Sequence, residues 1–246
     1  MAKNKHRNTT LATKTAAPTV DDTLQIDRDM RTTFEKVEHF VEDNARQILS
    51  ILGVIALIFV LYLLYTNVYV PRQEAAAQAD LFEAQRYFDK NDWDKVLNGD
   101  KTAKTKGALD VISSHSGSTK AVNLAHYYAG IAYLNKGEFQ KAVDHLSDVS
   151  SNDDLVTAMA NGALGDAYSE LGKMQEALGY YQKAAASSPN EFTAPMFLLK
   201  AGLIAETQNN FKAAKSAYEQ LVQKYPNSAQ GKDADKYLTR AEQKLQ

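Results

Sequence analysis

"NGALGDAYSELGKMQEALGYYQKAAASSP", residues 161–189, is the stretch whose reading decides the fold. Gly165 and Tyr168 sit on a first helical segment. Gly172 marks a turn, Ala177, Tyr181 and Ala184 follow on a second segment, and Pro189 stops it. Small residues let two helices approach closely, and aromatics fill the gaps that remain. Glycine permits the tight turn between them, and proline ends the second helix. The same spacing recurs on both sides. Gly130, Gly165 and Gly202 correspond at intervals of 35 and 37 residues. Ala142, Ala177 and Ala214 correspond in the same way, as do Leu146, Tyr181 and Tyr218. One such unit cannot bury its apolar face alone, so units must stack.

Working outward, the pattern stays helical almost throughout after Pro71. No run shows sustained period-two alternation, so the fold class reads as all-α. Residues 71–122 read as a degenerate first repeat with Tyr87, Trp93 and Val96, followed by a polar loop from Leu97 to Gly107. Residues 123–228 hold three repeats. Residues 229–246 read as a C-terminal capping helix with Ala234, Leu238, Ala241 and Leu245 as its apolar positions.

Residues 48–70, "ILSILGVIALIFVLYLLYTNVYV", carry no charge. A helix of that length spans roughly 34 Å, enough for a hydrocarbon core of about 30 Å. Tyr62, Tyr65 and Tyr69 suit an interface, and Pro71 and Arg72 close the segment. A cleaved signal peptide would be shorter and nearer the start. The expectation is a single-pass transmembrane helix that puts residues 48–70 in a lipid bilayer. Residues 1–26 read as a disordered tail, rich in Thr, Ala, Lys and Asn. Residues 27–47 read as an amphipathic juxtamembrane helix with Met30, Phe34, Val37, Phe40 and Val41 at spacings of three and four. That helix could lie on the membrane surface, pair with a partner helix, or simply extend the anchor. The lysines and arginines before the span place the N-terminus in the cytoplasm.

Charge and chemistry restrict function. The net charge is −2 with no polybasic body, which gives a nucleic-acid partner no electrostatic support. There is no cysteine. The five histidines, His6, His39, His115, His126 and His145, form no HExxH motif. No phosphate loop is present. Asp92, Asp94 and Asp100 lack the glycine and glutamate of a calcium loop. The expectation is therefore a non-enzymatic chain with no catalytic residue, no cofactor and no metal.

The repeat resembles the tetratricopeptide repeat, a helix-turn-helix unit that stacks into an α-solenoid. The match is carried by Gly130, Tyr133, Gly137, Phe139, Ala142 and Leu146 in the first unit. The second unit adds Leu164 to the residues above, and the third matches at Gly202, Phe211, Ala214, Tyr218 and Pro226. Asp154 stands where the first unit should have proline, Ala205 where the third should have tyrosine, and Asn209 where it should have the turn glycine. The resemblance implies that the first helix of each unit lines a concave groove for a protein partner. Groove candidates are then Leu124, Tyr127, Ile131 and Leu134 in the first unit. The second offers Met159, Asp166, Ser169 and Glu170, and the third Met196, Leu199, Leu203 and Glu206. The layout of tail, span and repeat domain is similar to the YfgM-like family (its Bacteroidetes relatives most of all), ancillary to the bacterial Sec translocon. That likeness implies an inner-membrane protein with periplasmic repeats. Its partners would be translocon subunits, a membrane-anchored chaperone or exported chains. The alternative is a structural scaffold for an envelope or division complex.

Overall fold

The computed structural model describes residues 20–115 and 119–246, the side chains of 20–29 and 33 excepted. Two units divide after Leu64. The first contains α1 (Val20–Asp43) and α2 (Ala45–Leu64). Helix α1 starts at Val20, inside the stretch read as disordered; residues 1–19 of that tail lie outside the described residues. Its break from α2 is confined to Asn44. The backbone bonds Asn44 N–H to Phe40 O (3.1 Å) and Ile48 N–H to Asn44 O (2.9 Å) keep helical spacing across it.

The second unit begins with a π-helical stretch, Tyr65–Tyr69, and α3 (Val70–Asp89). Helical structure is unbroken from Ala45 to Asp89, and it contains a window apolar and long enough to cross a membrane. Pro71, which follows the apolar segment, sits in the first turn of α3. Proline has no N–H for the carbonyl four residues back and its ring crowds that carbonyl. The wider π-helical turn just before it accommodates that defect.

From α3 onward the chain runs as paired helices. The pairs are α3 with α4 (Trp93–Asn98), α6 (Lys120–Asn135) with α7 (Phe139–Ser147), α8 (Asp154–Glu170) with α9 (Met174–Ser187), and α10 (Thr193–Thr207) with α11 (Phe211–Lys224). Helix α5 (Ala108–Ser114) lies between the first two pairs in sequence. A short 3₁₀ turn (Gly231–Asp233) leads into α12 (Ala234–Gln243). Among the described residues there is no strand.

Each pair turns by one device. The turn residues Asn91, Gly137, Gly172 and Asn209 have φ of 56°, 77°, 73° and 56°. The next residue's N–H reaches back to the carbonyls of Tyr87, Tyr133, Tyr168 and Ala205 at 2.9–3.0 Å. This is the Schellman closure, which satisfies carbonyls left open at a helix end and requires a left-handed residue. Asparagine enters that region more readily than other non-glycine residues, which explains how the fourth turn dispenses with glycine. It also shows that α3 and α4 share the geometry of the pairs that follow.

Within each repeat the first helix approaches the second where glycine faces a large side chain. A Cβ added at Gly130 would lie 2.5 Å from Leu146, one at Gly165 2.6 Å from the Tyr181 ring, and one at Gly202 2.2 Å from the Tyr218 ring. Gly162 plays the same part between neighbouring repeats, opening space for Phe197. Ala142, Ala177 and Ala214 are fully buried beside these contacts. At the C-terminus Tyr237 of α12 stacks on Tyr218 at 5.4 Å, and Ala234 and Ala241 are buried. Leu245, expected to pack in the cap, lies beyond the helix and is half exposed.

Candidate functional site

The first helices of the pairs, α3, α6, α8 and α10, carry the candidate groove. At its N-terminal end a cleft of about 340 Å³ opens between α3 and α6. Gln78, Leu81, Phe82 and Gln85 form one wall; Lys120, Ala121 and Leu124 form the other. Phe82 is 57% exposed, an unusual setting for a phenylalanine in an otherwise packed repeat. Glu74 sits at the edge, where its carboxylate accepts the backbone N–H groups of Lys120 (2.7 Å) and Ala121 (3.1 Å). That carboxylate therefore serves the start of α6, where an acid is favoured by the orphan donors and the helix dipole.

Tyr127 is half-buried within an aromatic cluster. Phe88 lies 4.7 Å from Tyr128, 5.6 Å from Trp93 and 6.5 Å from Tyr127 between ring centroids. Burial pushes both tyrosine hydroxyls above their ordinary pKa. Leu124, Ile131 and Leu134 pack at the margin of this core with part of each side chain open. Met159, Met196 and Leu199 are placed likewise against the second core.

The polar candidates divide. Asp166 accepts the Tyr181 hydroxyl and the Lys200 ammonium, each at 2.6 Å. Burial first, then the bond to Asp166, drives the Tyr181 pKa far above the ordinary tyrosine value. Glu206 holds the Arg240 guanidinium through both oxygens, with Nε–Oε1 at 3.0 Å. Both acids thus bridge neighbouring helices: Asp166 joins α8 to α10, and Glu206 joins α10 to α12. Ser169 contacts the Met174 sulfur. Glu170 and Leu203 are exposed.

Three features escaped the sequence reading. The α3 wall was missed because the first repeat has no glycine at the helix contact. The Asn91-Asp92-Trp93 turn, matched to Gly137-Glu138-Phe139, would have set its register and brought Gln78, Leu81 and Gln85 to the groove positions of Leu124, Tyr127 and Ile131. Tyr180, which the repeat pattern does not need, stacks on Tyr168 with centroids 5.2 Å apart. His126 of α6 and His145 of α7, far apart as sequence motifs, meet with their Nδ1 atoms 3.3 Å apart. Asp148 lies 3.7 Å from His126, and the Tyr133 ring stacks on His145.

The carboxylates considered for calcium have other partners. Asp92 caps α4 through the Lys95 N–H, and Asp100 accepts Thr102 and Ala103 N–H groups while pairing with Lys95 at 3.1 Å. Among the described residues no group of three or more His, Asp or Glu could hold a metal ion.

Comparison with protein families agrees with this geometry. Residues 127–192 and 197–228 match tetratricopeptide-repeat models. The chain therefore carries tetratricopeptide repeats, a class of helical module that binds other proteins. No curated protein matches the chain.

Proposed function

We propose that this chain is a membrane-anchored tetratricopeptide-repeat adaptor whose groove holds a segment of a partner protein. Residues 48–70 would hold it in a bacterial inner membrane, with the N-terminus cytoplasmic and the repeats periplasmic. The partner would belong to protein export: a translocon subunit, a membrane-anchored chaperone or an exported chain in transit.

The observation that carries this reading is the open apolar cleft between α3 and α6, with Phe82 exposed at its wall. An exposed aromatic beside a concave apolar surface is where binding energy concentrates. The groove offers Phe82, Leu124 and Leu203 for contact, whereas Asp166 and Glu206 are committed to Lys200 and Arg240. Recognition would therefore be chiefly apolar, flanked by the Gln78 and Gln85 amides, rather than by a clamp of charges.

Affinity capture of the full chain from detergent-solubilised membranes tests the proposal. The expected result is recovery of translocon or chaperone components from wild type, reduced several-fold by Phe82→Asp. Recovery of neither component from well-folded protein would contradict it. A septal ring of tagged protein would instead favour the envelope or division scaffold.

A further inference from the structure

We propose that a second copy of this chain covers one face of α1 and α2, so that the protein pairs in parallel through a seam running from Met30 into the apolar span. The proposal takes α2 to lie in a bilayer and is independent of what the repeats bind.

Helix α1 leaves a row of apolar side chains uncovered. Met30, Phe34, Val37 and Val41 are 45–72% exposed. Their spacing of four, three and four residues is that of alternating d and a positions in a heptad. The row does not stop at the membrane. Asn44 takes the next d position, and the sequence continues with Ile48, Ile51, Ile55 and Ile58 at spacings of three, four and three. These are all the isoleucines of the span, whereas its leucines fall elsewhere on the helix. Hydrophobicity alone would not separate isoleucine from leucine in a lipid-facing helix. A packed seam would, because a β-branched side chain is already held to one rotamer in a helix and loses little freedom on packing against a facing one.

Charge obeys the same register. From Met30 to Tyr62 no charged residue occupies an a, d or g position. In a parallel pair, g of one copy faces e of the other. No g position from Met30 to Tyr62 is charged, so Glu38, at e, opposes no like charge across the seam.

Lipid is a poor alternative cover for α1. The helical bonds through Asn44 carry α1 onward from α2, where a helix lying on the surface would need a turn. Its sequence also holds eight acidic residues against three basic ones, the opposite of what an anionic membrane surface attracts. A second copy meets every requirement at once. All copies cross the membrane in the same sense, so the same seam faces itself over its whole length. A straight helix drifts about 20° per heptad against a 3.5-residue repeat, so the two copies would wind around each other with a left-handed twist.

The chain has no cysteine, which makes single-cysteine scanning direct. Cysteine is placed in the full chain at Phe34, Val37, Val41 and Ile48, and at the outer positions Lys36, His39 and Asp43. Native membranes are then oxidised with copper phenanthroline and run without reductant. The expected result is a band at twice the monomer mass for seam positions, falling to background at outer ones. A flat profile, no dimer at any position, or maxima at the outer positions in membrane-retained protein would overturn the seam. Quenching of a probe at Phe34 by bilayer-depth spin labels, without cross-linking, would put the stripe on lipid and overturn it too. Extraction of the chain by alkaline carbonate would instead overturn the membrane span, and the proposal with it.

Discussion

Tyr181 and Tyr218 occupy the same repeat position, yet they differ by one acceptor. The Tyr181 hydroxyl donates to Asp166, whereas Leu203 stands at the matching position opposite Tyr218 and that buried hydroxyl has no carboxylate acceptor, only the Arg240 guanidinium beside it without good hydrogen-bond geometry. A hydrogen bond to a charged group contributes about 1.5–3 kcal/mol, and an unsatisfied buried hydroxyl contributes nothing favourable. Tyr181→Phe should therefore destabilise the repeat domain by about that amount, while Tyr218→Phe should be near neutral or slightly stabilising. Urea unfolding of the two variants checks the contrast; equal losses would contradict it. The glycines give a second contrast. A Cβ at Gly172 or at Gly179 would meet open space, but Gly172 has φ of 73° and Gly179 lies within α9. Gly172→Ala should cost about 1–2 kcal/mol through the left-handed backbone. Gly179→Ala should stabilise by about 0.5–1 kcal/mol through helix propensity. Thermal unfolding reads both, and a destabilising Gly179→Ala would show that this glycine has a role other than filling a helix.

At the scale of elements, much of the architecture is written in residue spacing. The glycine and alanine triplets, and Leu146 with Tyr181 and Tyr218, recur at the same intervals of 35 and 37 residues, and each lands at the predicted helix contact. The α3 register was hidden because Ala84 and Asn91 replace the signature glycines. Which carboxylates remain free was also hidden, since Asp166 and Glu206 find their cations one repeat further on. The His126–His145 contact belongs to the same class of long-range fact, and it ties α6 to α7. Burial lowers the pKa of both rings, and His126 lowers that of His145 further; Asp148 acts on both in the opposite direction, as Asp144 does on His145. A histidine with a depressed folded pKa stabilises above its unfolded value of about 6.5. That stability is lost as pH falls through the folded values. The melting temperature should therefore drop on acidification below pH 6.5, and less steeply in His126→Asn/His145→Gln. An unchanged slope in the double variant would place the acid sensitivity elsewhere.

On the scale of the whole molecule, partners are proposed for two surfaces: the apolar face of α1 and α2, and the groove along the first helices of the repeats. A soluble protein seldom leaves contiguous apolar surface uncovered, and the two proposals assign these surfaces different neighbours, lipid and a second copy for one, a partner chain for the other. The groove is the central claim, and site-specific photo-cross-linking in intact cells tests it most directly. A benzophenone amino acid at Phe82 or Leu203 should yield discrete heavier adducts containing a protein of the export machinery, while the same group at exposed Lys212 on the second helix of its pair should yield none. Adducts confined to Lys212, or none from Phe82 and Leu203 in folded protein, would contradict the account.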